Sequence, residues 1–170
     1  MSKKKKEEKV WWIEKLSNKV NKASEVLLMV IVGIMIVTTL IGVFNRFVFR
    51  FSVSWTNEVA TYLLIWMSTV GACIATKRGL HISITFILKK LRKKLRLWIV
   101  IISQAMTMIF LIYATIYGFK LCISQMKQYS PVAGIPIGLV YLAVPVGSLI
   151  MIMHLISSLK PILQFIKDCE

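Results

Sequence analysis

The chain has 170 residues, of which 57% are hydrophobic, and its formal net charge is +15. Apolar residues in that proportion, gathered into long uncharged runs, exclude an ordinary soluble domain and predict an integral membrane protein. The 22 Lys and Arg residues lie beside the apolar runs and form no aromatic-lined groove. We therefore interpret them as contacts to anionic membrane lipid, and we expect no nucleic-acid partner.

The first 22 residues are predicted to form a basic N-terminal tail with a short interfacial helix. Residues 2–9 form a charged, solvated run, without the cleavage site that would follow a signal peptide. From residue 10 to residue 22 the apolar side chains recur on one side at helical spacing. Trp11 and Trp12 would anchor this helix in the membrane interface. A frayed tail is the alternative.

Four uncharged apolar segments are long enough to cross a bilayer as helices. They cover residues 26–44, 59–76, 97–119 and 137–159. The predicted fold class is therefore an all-α integral membrane protein with four transmembrane helices plus interfacial amphipathic helices. The membrane domain is expected to span residues 23–160, and residues 161–170 are expected to form a cytoplasmic tail that begins at Pro161.

Two of these spans carry small or polar residues at the spacing of one helix face. Such residues let neighbouring backbones approach closely in lipid, so each face is predicted to be a packing face. The residues are Thr38, Gly42 and Asn45 in the first span, and Ser68, Gly71, Ala72 and Ala75 in the second.

The fourth span and the connection before it contain helix-breaking residues. Pro145 predicts a bend inside the span, and Gly147 nearby eases that bend. The connection from Ser124 to Pro136 contains Pro131 and Gly134 and is expected to form neither a helix nor a regular strand.

Residues 82–96 combine an apolar stripe with many cations and predict a basic helix lying flat in the membrane interface. A solvated loop with snorkelling lysines is the alternative. The candidates for lipid contact here are Lys89, Lys90, Arg92, Lys93, Lys94 and Arg96, followed by Trp98.

The distribution of Lys and Arg predicts the orientation in the membrane. Of the 22 such residues, only Arg46, Arg50, Lys120 and Lys127 lie on one side, and the other eighteen lie on the opposite side. Because cations are retained in the cytoplasm, both termini are expected there.

The sequence predicts no catalytic, substrate-binding or metal site, and no cofactor. His81 and His154 lie near the ends of spans, where interfacial histidines are commoner than haem ligands. No Asp or Glu lies inside a predicted span, although a proton-coupled transporter would need one there. The three cysteines are widely separated and suggest neither a disulfide framework nor a metal site. We expect a chain that depends on a partner carrying the transport machinery.

Two opposite charges are expected at the outer rim. Arg46 ends the first span and Glu58 opens the second, so we predict that they pair and serve assembly, with Trp55 beside them as an interfacial anchor. One alternative is that Arg46 snorkels to lipid phosphate while Glu58 is solvated at its helix N-terminus. Another is that Glu58 contacts a partner protein directly.

Several motifs together resemble the small membrane subunit of tripartite ATP-independent periplasmic (TRAP) transporters. The resemblance covers residues 26–158, with departures at Asn57 and Thr85, where that family often has acidic residues. The motifs are Asn45-Arg46-Phe47, Trp55-x-x-Glu58, Ile65-Trp66, Gly71-Ala72, Lys77-Arg78-Gly79-x-His81-Ile82, Pro131…Gly134-Ile135-Pro136 and Tyr141…Pro145-Val146-Gly147.

The resemblance implies a non-catalytic subunit in the bacterial inner membrane. Its expected partners are a large multi-span permease subunit, which carries the substrate and sodium sites, and a soluble periplasmic substrate-binding protein that captures an organic acid. The small subunit would extend the static scaffold of the large one and help dock the binding protein. The assembly and docking candidates are Asn45, Arg46, Trp55, Glu58 and His81. A stand-alone small four-span transporter or an assembly factor is the alternative.

Overall fold

The computed structural model describes residues 2–50, 54–88 and 93–167, and describes side chains for residues 14–50, 54–78, 95 and 98–157. Across these residues the only extended pairing is an isolated bridge between Tyr129 and Pro136. The helices are α1 (Ser2–Val48), α2 (Ser54–Leu88), α3 (Lys93–Gln125), α4 (Ile137–Tyr141) and α5 (Ala143–Lys167). The predicted all-α fold class is confirmed.

Four stretches of the structure are long and apolar enough to cross a bilayer, as the sequence predicted. They are Glu14–Val48, Ser54–Arg78, Trp98–Gln125 and Ile137–Ser157. α1 and α2 form a hairpin around a small core of Ile31, Val70 and Ile74.

α1 is one continuous helix, whereas the sequence predicted an interfacial helix separated from the first span near residue 22. Residues 20–27 contain neither Gly nor Pro, so nothing interrupts the backbone hydrogen bonds there. The Asn21 amide also donates to the Glu25 carboxylate one turn later, at 2.8 Å. The boundary predicted near residue 22 is therefore not the end of a helix. The side chains of Trp11 and Trp12 lie outside the described residues.

The separate interfacial helix predicted over residues 82–96 is divided between two long helices. Residues 82–88 continue α2, and residues 93–96 begin α3. No proline follows Arg78 within α2 to stop the helix from propagating. Lys89, Lys90 and Arg92 lie outside the described residues, as do the side chains of Lys93, Lys94 and Arg96, so their lipid contact stays a prediction. Trp98 is described, and 63% of its side chain is exposed.

The fourth span is interrupted close to Pro145, the residue from which the sequence predicted a bend. α4 ends at Tyr141 and α5 begins at Ala143, with Leu142 between them. Pro145 has no N–H for the Tyr141 carbonyl, which weakens the helix at this point. α5 then runs to Lys167, so the predicted end of the helix at Pro161 is wrong. A proline inside a helix can kink it without ending it.

Glycines set the closest helix contacts of the bundle. A Cβ atom on Gly42 of α1 would lie 2.7 Å from Thr56 Oγ1, and one on Gly118 of α3 would lie 3.0 Å from Pro145 Cδ. The closest approach joins α2 to α5, where a Cβ atom on Gly147 would lie 2.1 Å from Thr69 Cγ2. At each of these positions the glycine backbone lies so close to a neighbouring side chain that a Cβ atom would not fit without a shift.

The two predicted packing faces have different outcomes. In α1, Thr38 is buried and Gly42 contacts Thr56, so that prediction is confirmed. In α2, the residues at the predicted positions face away from the bundle and do not pack within the described part of this chain, so this packing face stays a prediction. Ser68, Ala72 and Ala75 are exposed, and a Cβ atom on Gly71 would meet nothing within 4 Å. We call Ser68, Gly71, Ala72 and Ala75 the α2 small-residue face.

Candidate functional site

Glu58 connects the start of α2 to the loop between α3 and α4. Its Oε2 atom accepts a hydrogen bond of 2.8 Å from the backbone N–H of Ala133. Its Oε1 atom accepts a hydrogen bond of 2.7 Å from the Tyr62 hydroxyl, one turn along α2. Both carboxylate oxygens therefore hold a neighbour in place, and hydrogen bonds to a charged acceptor are the stronger kind.

The loop is closed by its own backbone before it meets Glu58. Ser130 N–H donates to the Ile135 carbonyl and Ile137 N–H donates to the Gln128 carbonyl, each at 2.9 Å. Gly134 has a φ of +65°, which glycine adopts without strain. The buried Ser130 also accepts from Ala133 N–H through its hydroxyl, at 3.1 Å. This closed loop presents the Ala133 N–H to Glu58, and we call residues 128–137 with Glu58 and Tyr62 the loop-end cluster.

The predicted ion pair between Arg46 and Glu58 is wrong. Thr56 faces α1 at Gly42, and Glu58 is two residues further on, about 200° around the helix axis. Its carboxylate consequently points away from α1 and towards the loop. Arg46 is exposed at the end of α1. Among the described residues the only ion pair is one between Arg78 and Glu25.

The other assembly candidates do not converge on Glu58. Trp55 is 43% exposed at the start of α2. Asn45 is half-buried and borders an apolar groove of about 560 Å³ along the end of α1. The side chain of His81 lies outside the described residues. The structure thus brings Glu58 together with loop residues that sequence reasoning did not single out as its partners.

A second polar cluster joins three helices at the opposite end of the bundle. The Lys77 ammonium of α2 donates to Ser17 Oγ of α1 at 2.9 Å, and to Asn18 Oδ1. Ser17 Oγ in turn lies 2.8 Å from His154 Nδ1 of α5. Ser17 is 0% exposed and His154 is 1% exposed. We call Ser17, Lys77 and His154, with Asn21, Glu25 and Arg78 beside them, the basic-end cluster.

Sequence reasoning missed this cluster because it treated His154 as an interfacial residue. The sequence feature that could have indicated the cluster is the presence of His154 and Lys77 in apolar helices, because such residues require partners in a membrane. Their partner Ser17 lies in a segment that was expected to be separate from the bundle. One residue after Lys77, Arg78 pairs with Glu25 at 2.6 Å, which fastens α2 to α1 a second time.

These groups connect helices to one another. The described residues contain no group of three His, Cys, Asp or Glu side chains that could hold a metal ion. The buried thiols of Cys73 and Cys122 donate to the carbonyls of Gly147 and Gly138, at 3.3 and 3.1 Å. These thiols bond to the backbone, as buried polar groups in a packed bundle usually do.

The chain is thus a four-span membrane protein whose polar residues connect its own helices at both ends. The chain belongs to the family described as tripartite ATP-independent periplasmic transporters, DctQ component, whose model matches residues 35–164. The resemblance in the motifs is thereby confirmed, and the chain is a small membrane subunit of the TRAP type.

Individual relatives agree with this family. The chain is 30% identical to a TRAP transporter small permease protein of Haemophilus influenzae, over 89% of this chain and 94% of the relative. It is 28% identical to the ectoine TRAP transporter small permease protein of Halomonas elongata, over 83% and 75% of the two chains. A C4-dicarboxylate counterpart from Rhodobacter capsulatus is 30% identical over 57% of this chain, and the match spans 44% of that protein.

Proposed function

We propose that this subunit serves a sodium-coupled transporter of organic acids, in which it extends the static scaffold of a large permease subunit and helps dock a periplasmic substrate-binding protein. The family match over residues 35–164 carries the proposal. Relatives are named for C4-dicarboxylates, sialic acid and ectoine, and each of these solutes carries a carboxylate. Sodium would bind the large subunit, and this chain would need no cofactor.

A static role is supported by the connections at both ends of the bundle. Glu58 ties α2 to the loop at one end, and Lys77 ties α2 to α1 at the other. Gly147 brings α5 into direct contact with α2 between these ends. A unit held at three levels moves as one body, which suits a scaffold.

Dependence on a partner is supported by the placement of the acidic residues. In the described residues of the four membrane-crossing stretches, Glu14 and Glu58 lie at or near the start of a stretch, and Glu25 pairs with Arg78 at the end of the second stretch. A stand-alone transporter would need charged or polar groups near the middle of the membrane to bind its coupling ion.

The α2 small-residue face is the surface we assign to the large subunit. The exposed faces of α1 and α3 carry large side chains such as Met29, Ile34, Ile109 and Phe110, which suit lipid. The α2 face instead exposes Ser68, Ala72 and Ala75. In lipid, small residues favour close contact between helices, so this face suits a protein helix better than acyl chains.

The loop-end cluster is the surface we assign to docking. Tyr129 and Val132 are 64% and 50% exposed on the loop that Glu58 holds. The excess of Lys and Arg at the other end supports a periplasmic position for this loop, with both termini in the cytoplasm. A loop with a fixed backbone offers a binding protein a surface that needs no ordering on contact.

Reconstitution of the transporter tests the proposed function. We expect sodium-driven uptake of a carboxylate substrate by the large subunit and binding protein to require this chain, and to be absent without sodium. A panel of a C4-dicarboxylate, a sialic acid and ectoine would provide the substrate. Equal uptake without this chain would contradict the scaffold role, and uptake by this chain alone would favour a stand-alone transporter.

Larger residues on the α2 small-residue face are expected to prevent assembly. In the variant A72L/A75L, leucine side chains would hold a partner helix away from the α2 backbone, lowering co-purification with the large subunit on the order of tenfold. The isolated chain should remain as stable as before, because both alanines are exposed. The matched control is Ala105→Leu on the exposed face of α3. Loss of assembly in the control variant alone would indicate that the interface with the large subunit lies on α3.

Single-cysteine labelling tests the orientation. Lys127 and Lys19 are both exposed, at opposite ends of the bundle. In a chain whose native cysteines are replaced by serine, an impermeant maleimide added to intact cells should label Lys127→Cys and not Lys19→Cys. Permeabilised cells should show both labels. The reverse pattern in intact cells would invert the topology.

A further inference from the structure

The hydrogen-bond directions in the basic-end cluster define the tautomer of His154. A lysine ammonium can only donate, so Ser17 Oγ accepts from Lys77. Its own proton is then directed at His154 Nδ1, 2.8 Å away. Two cations sharing one buried hydroxyl would repel each other, which favours a neutral ring. A neutral imidazole that accepts at Nδ1 carries its proton on Nε2.

This leaves one donor inside the bundle without a counterpart. His154 is 1% exposed, and its Nε2 atom has no hydrogen-bond partner among the described residues. A buried N–H group is nearly always paired in a folded protein, so this atom calls for an acceptor.

A buried acceptor that also has no partner among the described residues lies on α1, one helical turn after Ser17. The Asn21 Nδ2 group donates to Glu25 at 2.8 Å, which assigns the other amide atom as oxygen. That Oδ1 atom is buried and has no partner among the described residues. Asn21 follows Ser17 by four residues, so the two side chains share one face of α1, with Cβ atoms about 5–6 Å apart. The donor and the acceptor thus belong to the same region, where α1 meets α5.

We propose that a single ordered water molecule binds between His154 Nε2–H and Asn21 Oδ1 and joins the basic-end cluster into one network. Water can accept from the ring N–H and donate to the amide oxygen without adding charge. The network runs from Lys77 through Ser17, His154, the water and Asn21 to Glu25, which pairs with Arg78. It begins and ends on neighbouring residues of α2, so the water completes a closed connection among three helices.

Solid-state NMR of the full chain in lipid bilayers tests this site. With ¹⁵N-labelled histidine, we expect His154 to show the Nε2–H tautomer and a rapid cross-peak from that proton to water, despite its burial. The chain has only two histidines, so His81→Gln assigns the signal. A proton on Nδ1, or a cross-peak to a protein side chain in place of water, would overturn the proposal.

Two variants separate a bound water from general solvent access. Asn21→Leu removes the acceptor and fills the site, so the water cross-peak should be lost while the Nε2–H tautomer remains. The matched control is Gln104→Leu on α3, whose Nε2 atom is also buried without a partner among the described residues. It should leave the cross-peak unchanged. A cross-peak that survives Asn21→Leu would remove Asn21 from the site. If Asn21→Leu does not fold, the tautomer and the water cross-peak of the native chain still test whether a water molecule binds at His154 Nε2.

Discussion

Gly147→Ala is expected to lower the free energy of unfolding of the bundle by about 1–3 kcal/mol, an amount typical of overpacking. The added Cβ atom would lie 2.1 Å from Thr69 Cγ2, well inside van der Waals contact. Rotation of the Thr69 side chain would disturb the hydrogen bond of 2.9 Å that its hydroxyl donates to the Ile65 carbonyl. α2 and α5 must separate instead. Thermal unfolding of the purified chain in detergent, monitored by size-exclusion chromatography, measures the loss.

A second substitution should restore the fit. Thr69→Ser removes Cγ2 and keeps the hydroxyl, after which the nearest remaining atoms are Thr69 Cβ at 3.5 Å and Cys73 Sγ at 3.6 Å, ordinary contact distances. The double variant T69S/G147A is therefore expected to recover most of the stability. Gly71→Ala is the matched control, since a Cβ atom there meets nothing within 4 Å. Equal effects of Gly147→Ala and Gly71→Ala would show that α2 and α5 do not touch at this glycine.

The spans and the proline bend could be predicted because both depend on local chemistry. Membrane crossing requires an uncharged apolar run of a given length, and Pro145 lacks a backbone donor wherever it occurs. The hydrogen bond between Ser17 and His154 joins residues 137 positions apart. No local sequence pattern indicates a contact between residues so far apart. The helix boundary predicted near residue 22 also separated Ser17 from the bundle that contains His154.

The packing face of α2 could not be predicted from its small residues alone. In water, polarity shows which side of a helix is buried, but in lipid both the outside and the inside of a bundle are apolar. Ser68 and Ala72 have the composition of a contact face, yet they are exposed, while Cys73 and Ile74 are buried. A small-residue face can serve a contact within the chain or a contact with another subunit, and the sequence of one chain does not distinguish them.

The Arg46–Glu58 pair was predicted from closeness along the chain, and helix phase prevents it. Glu58 is two positions after Thr56, which is enough to turn the carboxylate to the other side of α2. Its partner became the backbone of Ala133, 75 residues away. A backbone donor has no sequence signature, so the motif Trp55-x-x-Glu58 could mark Glu58 as important without showing what it holds.

Glu58→Leu is therefore expected to release the loop. Leucine has similar bulk but no acceptor, so the Ala133 N–H would keep only the longer contact to Ser130 Oγ, at 3.1 Å. Hydrogen exchange at the Ala133 amide should accelerate on the order of tenfold. Uptake that depends on the binding protein should fall in the reconstituted transporter. Glu58→Gln is the matched control, because its amide oxygen can still accept from Ala133 and its effect should be smaller.

Charge reversal distinguishes this role of Glu58 from pairing with Arg46. Glu58→Arg removes the acceptor and should accelerate exchange at Ala133 as Glu58→Leu does. Arg46→Glu should leave that amide unchanged, because Arg46 is exposed and contributes nothing to the loop. Combining the two should give the behaviour of Glu58→Arg alone, since a carboxylate at position 46 lies on the far side of α2 from Ala133. Recovery of amide protection in the double variant would mean that the charges at positions 46 and 58 do meet, and that the loop depends on their pairing.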